Sequence, residues 1–133
     1  MIVLDTDVCV FLLRGNERVI ARRAAAKAPV MTTAITASEL SYGAEKSEDP
    51  AGNHLLVTEL LKSLPILALT AGAALHFGSI KARLERDGQR LDDADLWIAS
   101  IALQHGAMLA TGNIRHFQRI TELPIDNWLK DKP

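Results

Sequence analysis

Residues 2–15 read IVLDTDVCVFLLRG, and the fold turns on how this stretch is parsed. Ile2, Val3 and Leu4 form a short apolar run that meets polar residues at once, the pattern of a buried strand. Asp5 then stands at the strand's C-terminal end. Thr6 or Asp7 is placed to cap a brief helix, Val8 to Leu13, which Gly15 stops. Downstream, Asn16 reads as the cap of a helix running to Lys27. Pro29 blocks further helix, and Val30 to Thr32 reads as a second strand.

The remainder repeats this alternation. Thr36, Ala37, Ser38 and Glu39 match the capping box, a hydroxyl followed three residues later by Glu, so a helix is expected to start at Thr36. Leu40, Gly43, Ala44 and Ser47 form its packable stripe, and Asp49, Pro50 and Gly52 mark a loop. A helix from His54 to Ser63 and a strand from Ile66 to Leu69 follow. Thr70 caps a long helix through Arg86, which Asp87 and Gly88 end. Asp92 caps another over Asp93 to His105, with Gly106 behind it. Ala107 to Thr111 reads as a strand, Gly112 as a tight turn, and Asn113 opens a short segment carrying Arg115, His116 and Phe117. Leu123 to Ile125 is the last strand candidate. Strands alternating with longer helices predict an α/β sandwich with a mainly parallel sheet, one domain over residues 1–133 with no internal repeat or linker.

Composition sets the bounds. The chain has 133 residues, 48% hydrophobic and 23% charged, enough for one core without a disulfide. Its only cysteine, Cys9, lies in the apolar run VCVFLL and reads as a buried, inert thiol. No basic segment precedes an apolar one at the start, and no stretch of about 18 apolar residues occurs, so a cytoplasmic protein without a membrane span is expected. The charge is close to balanced, 15 Lys and Arg against 16 Asp and Glu. Such a balance still permits phosphate binding if acids gather around a metal and bases lie on its rim. Rim candidates are Arg14, Lys46, Arg83, Arg86, Arg90, Arg115 and Arg119, each of which, taken alone, reads first as a solvated surface charge.

The acids carry the chemistry. Ligands of parallel sheets bind beyond the carboxyl ends of the strands, and Asp5, Glu39, Asp95 and Asn113 all fall near such ends. Asp95 shares a helical stripe with Ile98, Ala99 and Ala102, so its carboxylate leans toward the core and needs a partner. That partner is either a cation or the N–H groups of the first helical turn. The capping box explains Glu39 with no function at all, whereas Asp5 follows a buried first strand directly. Asp7, Asp92 and Asp93 read as caps or surface acids. A set of Asp5, Glu39 and Asp95 suits Mg2+, with Mn2+ as a substitute, because hard cations prefer oxygen. Thr111 and Asn113 add neutral oxygens. His54, His76, His105 and His116 show no paired ligand spacing, and no GxxxxGK[ST], GxGxxG or nucleophile elbow is present.

Four blocks carry a family resemblance: IVLDTDVCVFLLRG, TASELSYGAEKS, DDADLWIASIAL and MLATGNIRHFQRITELPIDNW. In order and spacing the chain resembles the VapC-type PIN-domain toxin ribonucleases of type II toxin–antitoxin pairs over nearly its whole length. The resemblance implies a three-layer α/β/α fold. It implies that Asp5, Glu39 and Asp95 are the metal-site acids, with Asn113 in Thr111-Gly112-Asn113 at a fourth catalytic position where the family often has an acid. It further implies an Mg2+-dependent endoribonuclease that cuts structured RNA and inhibits translation. The YGAEKS type of block points to initiator transfer RNA. A homodimer, a cognate antitoxin and a hetero-oligomer with it complete the expectation.

Two other readings compete. The Asp5-Thr6-Asp7 run after an apolar strand mimics the start of the haloacid dehalogenase phosphatases, in which Asp5 would be a nucleophile and Asp7 the acid. Alternatively, the acids only grip a basic peptide in a binding module without catalysis.

Overall fold

A computed structural model describes residues 1–130. In chain order the elements are β1 (Ile2–Leu4), α1 (Thr6–Leu13), α2 (Glu17–Ala25), β2 (Val30–Thr33), α3 (Ala34–Glu45) and α4 (Pro50–Lys62). They continue with β3 (Ile66–Leu67), α5 (Ala71–Arg86), α6 (Asp93–Gln104), β4 (Met108–Thr111), α7 (Ile114–Phe117) and β5 (Ile125–Asn127). The strands form one sheet in the order β3-β2-β1-β4-β5, with every pair parallel. β1 lies at its centre, Ile2 and Val3 opposite Val30 and Met31 on one side, Val3 and Leu4 opposite Leu109 and Ala110 on the other.

Alternation along β1 feeds two apolar layers. Val3 faces Ile80 and Leu84 of α5, Leu96, Ile98, Ala99 and Ala102 of α6, Leu109 of β4, and Phe117. Ile2 and Leu4 face Val8, Cys9, Val19, Leu40, Ala44, Val57 and Trp128. The result is the expected three-layer α/β/α sandwich. After β1 the chain builds outward through β2 and β3, then crosses back to lay β4 and β5 on the opposite side. Such a reversal opens a crevice beside the central strand, and Asp5 stands at its mouth. No helix among the described residues is long and apolar enough to cross a membrane.

Several boundaries move. α1 begins at Thr6 with Asp5 itself at the N-cap, its carboxylate accepting from the Thr6 N–H; the strand hands over to the helix with no spare residue for Thr6 or Asp7 to cap. α3 begins at Ala34, capped by Thr33, whose hydroxyl accepts from the Thr36 N–H. The capping box at Thr36 is therefore not used, and Glu39 lies inside the helix. α4 starts at Pro50, the first-turn position that proline favours, and not at His54. β3 ends at Leu67 rather than Leu69, because Thr70 caps the next helix and the chain must turn first. β5 spans Ile125–Asn127 rather than Leu123 to Ile125, since Pro124 uses its carbonyl, not a missing N–H, to receive Leu109. Gly15 and Gly106 close α1 and α6 with φ of 73° and 61°, a conformation glycine adopts without penalty.

Phe117, fully buried at the end of the four-residue helix α7, anchors the turn that carries Asn113. Replacing Phe117 by Ala should cost about 3–5 kcal/mol of stability. Urea unfolding measures this; a loss below about 1 kcal/mol would show that the turn is held by something else.

Candidate functional site

The C-terminal ends of β1, β2 and β4 bring the acids together. Asp5, although charged by composition, is only 5% exposed. Its Oδ1 accepts from the Thr6 N–H at 2.8 Å and its Oδ2 from the Thr111 hydroxyl at 2.7 Å. Burial pushes its carboxyl up to about 7, helped by the charge of Asp7 and opposed by the Thr111 and Thr6 bonds. Asp95 also feels these acids: burial raises its carboxyl first, the charge of Glu39 next, and His116 opposes the rise. Glu39 accepts a 2.7 Å bond from the Thr6 hydroxyl, which is itself 3.0 Å from the Thr36 hydroxyl. So three of the four predicted residues, Asp5, Glu39 and Asp95, interact electrostatically or through Thr6, and the helix start that explained Glu39 without function is gone.

Asn113 joins them through Thr111. Its backbone N–H donates to the Thr111 oxygen at 2.9 Å, the same oxygen whose hydrogen goes to Asp5. Its side chain meets the His116 ring at 2.8 Å, and that ring lies 3.9 Å from Asp95. The Asn113 side chain does not cap α7, which removes the simple turn explanation for this residue.

Four residues escaped the sequence reading. Asp7 reads as a cap or surface acid, yet its Oδ2 accepts from the Gly112 N–H at 2.9 Å, bracing the β4–α7 turn from α1. Burial raises its carboxyl too, opposed by the Gly112 and Val8 N–H groups and by a side-chain bond to Asp5. The Thr6 hydroxyl bonds Glu39 and is itself in contact with Thr36, and His116 bonds Asn113 while lying 3.9 Å from Asp95. Only the hydroxyl-rich context of the strand ends hinted at the threonines, and no local pattern marked the histidine. Asp92, at the N-cap of α6, makes no capping bond, and Asp93 is paired with Lys81 at 2.9 Å. Cys9 is fully buried with its thiol pushed up to about 12 by desolvation, which leaves it inert.

What the acids lack is a counter-charge. Among the described residues no Lys or Arg forms an ion pair with Asp5, Asp7, Glu39 or Asp95; the His116 ring lies 3.9 Å from Asp95. Several rim candidates are committed elsewhere: Arg83 to Glu122, Lys46 to the Tyr42 ring, Arg119 to the Arg90 carbonyl. An all-oxygen set of acids, with Asp5 buried, Asp7 and Asp95 half-buried and Glu39 exposed, could hold a hard metal ion. The side chains do not already close around a point: no three metal-binding side chains converge at ligand distance among the described residues.

The PIN-domain family model matches residues 2–123. The chain belongs to the PIN-domain family. Within it, this PIN domain is 36% identical over 128 residues to ribonuclease VapC2 of Haemophilus influenzae, spanning 96% of this chain and 97% of that one. It is 35% identical over 127 residues to the tRNA(fMet)-specific endonuclease VapC of Salmonella typhimurium, spanning 95% and 96%. The solved structure of VapBC2 from Rickettsia felis bound to a promoter DNA fragment superposes with a TM-score of 0.91 at 30% identity, covering 96% of this PIN domain and 99% of that chain. The resemblance and the α/β/α fold are thus borne out, and family membership displaces the phosphatase reading of Asp5 and Asp7.

The raised Asp5 carboxyl has a consequence for stability. In the unfolded chain this group has the ordinary value of 3.8, so between about pH 4 and 7 the folded protein binds the extra proton. Its stabilising preference is complete below that window and is lost as pH rises through it. In chelator, Asp5→Asn should therefore unfold several degrees above the unsubstituted protein near pH 8, about 1–3 kcal/mol, with the gap closing near pH 4. Thermal melts across pH check this, and a gap that grows on acidification would contradict it.

Proposed function

We propose that this PIN domain is a divalent-metal-dependent endoribonuclease, the toxin of a type II toxin–antitoxin pair, which cuts structured RNA and so inhibits translation. One observation carries the reading: mutually repelling carboxylates, Asp5 buried and Asp95 half-buried, meet at the crevice beside β1, and among the described residues no Lys or Arg forms an ion pair with them. Its relatives' names, ribonuclease VapC2 and tRNA(fMet)-specific endonuclease VapC, point to RNA and to initiator transfer RNA as substrate.

Asp5 and Asp95, with Glu39, would hold Mg2+ or Mn2+, and Asn113 would contribute a neutral oxygen. Bound there, the ion would offset the acids' repulsion, polarise the scissile phosphate and lower the pKa of an attacking water. The chain's own part is positional. Thr111 and the Thr6 N–H fix both oxygens of Asp5, the Thr6 hydroxyl tethers Glu39, and Asp7 holds the Gly112 turn against α1. Buried supports of this kind keep ligand groups from relaxing away from a reacting phosphate.

The partners follow from the same reading: a cognate antitoxin, a homodimer and a hetero-oligomer of the two, in the cytoplasm. The solved relatives are VapBC assemblies. A cavity of about 330 Å3 between α1, α3 and α4, lined by Val10, Leu13, Leu40 and Leu56 with Arg14 and Glu39 both at its wall, opens beside Thr6. Its apolar walls suit the apolar face of an amphipathic antitoxin segment.

Purified protein freed of antitoxin should cleave initiator transfer RNA with Mg2+ or Mn2+, and lose cleavage in EDTA. Asp95→Asn should lower the rate about 100-fold or more with folding intact. Cleavage that persists in EDTA would refute the metal requirement, and failure to cut any RNA with metal present would favour a peptide-binding module. Sequencing of RNA ends after induced expression identifies the target.

A further inference from the structure

His116 lies between two of the site residues and belongs to no role assigned so far. Its Nδ1 is 2.8 Å from the Asn113 amide nitrogen and 3.9 Å from Asp95 Oδ2, so only the amide is within hydrogen-bonding range. An amide nitrogen can only donate, so Nδ1 accepts and the ring proton resides on Nε2. This matters because an asparagine side chain has two ends of nearly equal shape and opposite chemistry. Turned one way it offers an oxygen to a cation or a water; turned the other way it offers an NH2 group that repels a cation.

We infer that His116 is a positioning residue that sets which end of the Asn113 amide is left free for the acid site. With NH2 held by the ring, Oδ1 is the free end, and it meets no protein donor among the described residues. The backbone of Asn113 is already fixed by Thr111, one hydrogen bond from Asp5. The backbone thus determines where the amide sits, and His116 determines how it is turned. The ring is 45% exposed, on a helix anchored by the buried Phe117, so it can be replaced without opening the core. The inference rests on the metal-dependent reading above for its consequence, but the amide orientation stands on geometry alone.

A carboxylate has two identical ends, and this supplies the test. His116→Phe removes the acceptor while keeping a ring; His116→Asn keeps an acceptor oxygen near the place of Nδ1. In the native background His116→Phe should lower kcat about tenfold, leave KM within about twofold and weaken Mn2+ binding to the RNA-free protein by a similar factor, and His116→Asn should restore most of each. In an Asn113→Asp background His116→Phe should change neither kcat nor Mn2+ affinity, because orientation no longer matters. Equal losses in both backgrounds would show that His116 acts on Asp95 or the substrate instead, and no loss in the native background would overturn the inference outright. Long-range proton–nitrogen spectra of the ring, taken without metal or RNA where it is neutral, should show the Nε2–H tautomer; the Nδ1–H form would refute the assigned orientation. If the unsubstituted protein binds no Mn2+ and cuts no RNA, the functional reading fails, and the ring spectrum still decides the amide's orientation. Thermal melts confirm that each variant folds.

Discussion

Desolvation of Asp5 is the constraint on which the rest of the site depends. The carboxylate ends the central strand, where neighbours on both sides exclude water, and it does so next to Asp7 and within reach of the charge of Asp95. Burying one carboxylate without a cation is costly, and gathering several is more so. The fold tolerates this only because hydrogen-bond donors are built in around them: the Thr6 and Gly112 N–H groups and the Thr6 and Thr111 hydroxyls. Each donor comes from a strand end or a first helical turn, where backbone N–H groups are free to point outward. The arrangement therefore trades folding stability for a charged crevice, as sites poised for electrostatic chemistry do.

The sheet order explains why these particular residues meet. β1 is central because the chain first builds outward through β2 and β3 and then returns to its other side with β4. Asp5 from β1, the start of α3 after β2, and the Thr111-Gly112-Asn113 turn after β4 therefore share one edge. Asp95 arrives from α6, whose apolar stripe of Ile98, Ala99 and Ala102 packs on that same sheet. Nothing local draws these segments together. Their convergence is a product of the parallel topology and of the two apolar layers that Val3 and its neighbours Ile2 and Leu4 feed on opposite faces.

Asp5 and Asp95 stood out in the sequence through their local contexts, an acid directly after a buried strand and an acid on an apolar stripe, although first-turn N–H groups remained an alternative partner for Asp95. Glu39 was ambiguous, since the hydroxyl three residues before it imitates a cap. Only the observed start of α3 at Ala34 showed that Thr33 does the capping and that Glu39 is free to bond Thr6. Asp7 and His116 were not legible, as their partners, Gly112 and Asn113 with Asp95, come from distant sequence or from a turn whose shape no local pattern specifies.

By itself the sequence determined the alternation of strand and helix, the apolar residues that fill the interior, and the presence of acids near strand ends. Those properties follow from hydrophobic period, caps and breakers, which act over a few residues. The tertiary structure alone decided which acids share a crevice, which hydroxyls hold them, and that among the described residues no Lys or Arg forms an ion pair with them. Long-range pairing brings together residues more than a hundred positions apart, as with Thr111 and Asp5, and no local periodicity records such a meeting.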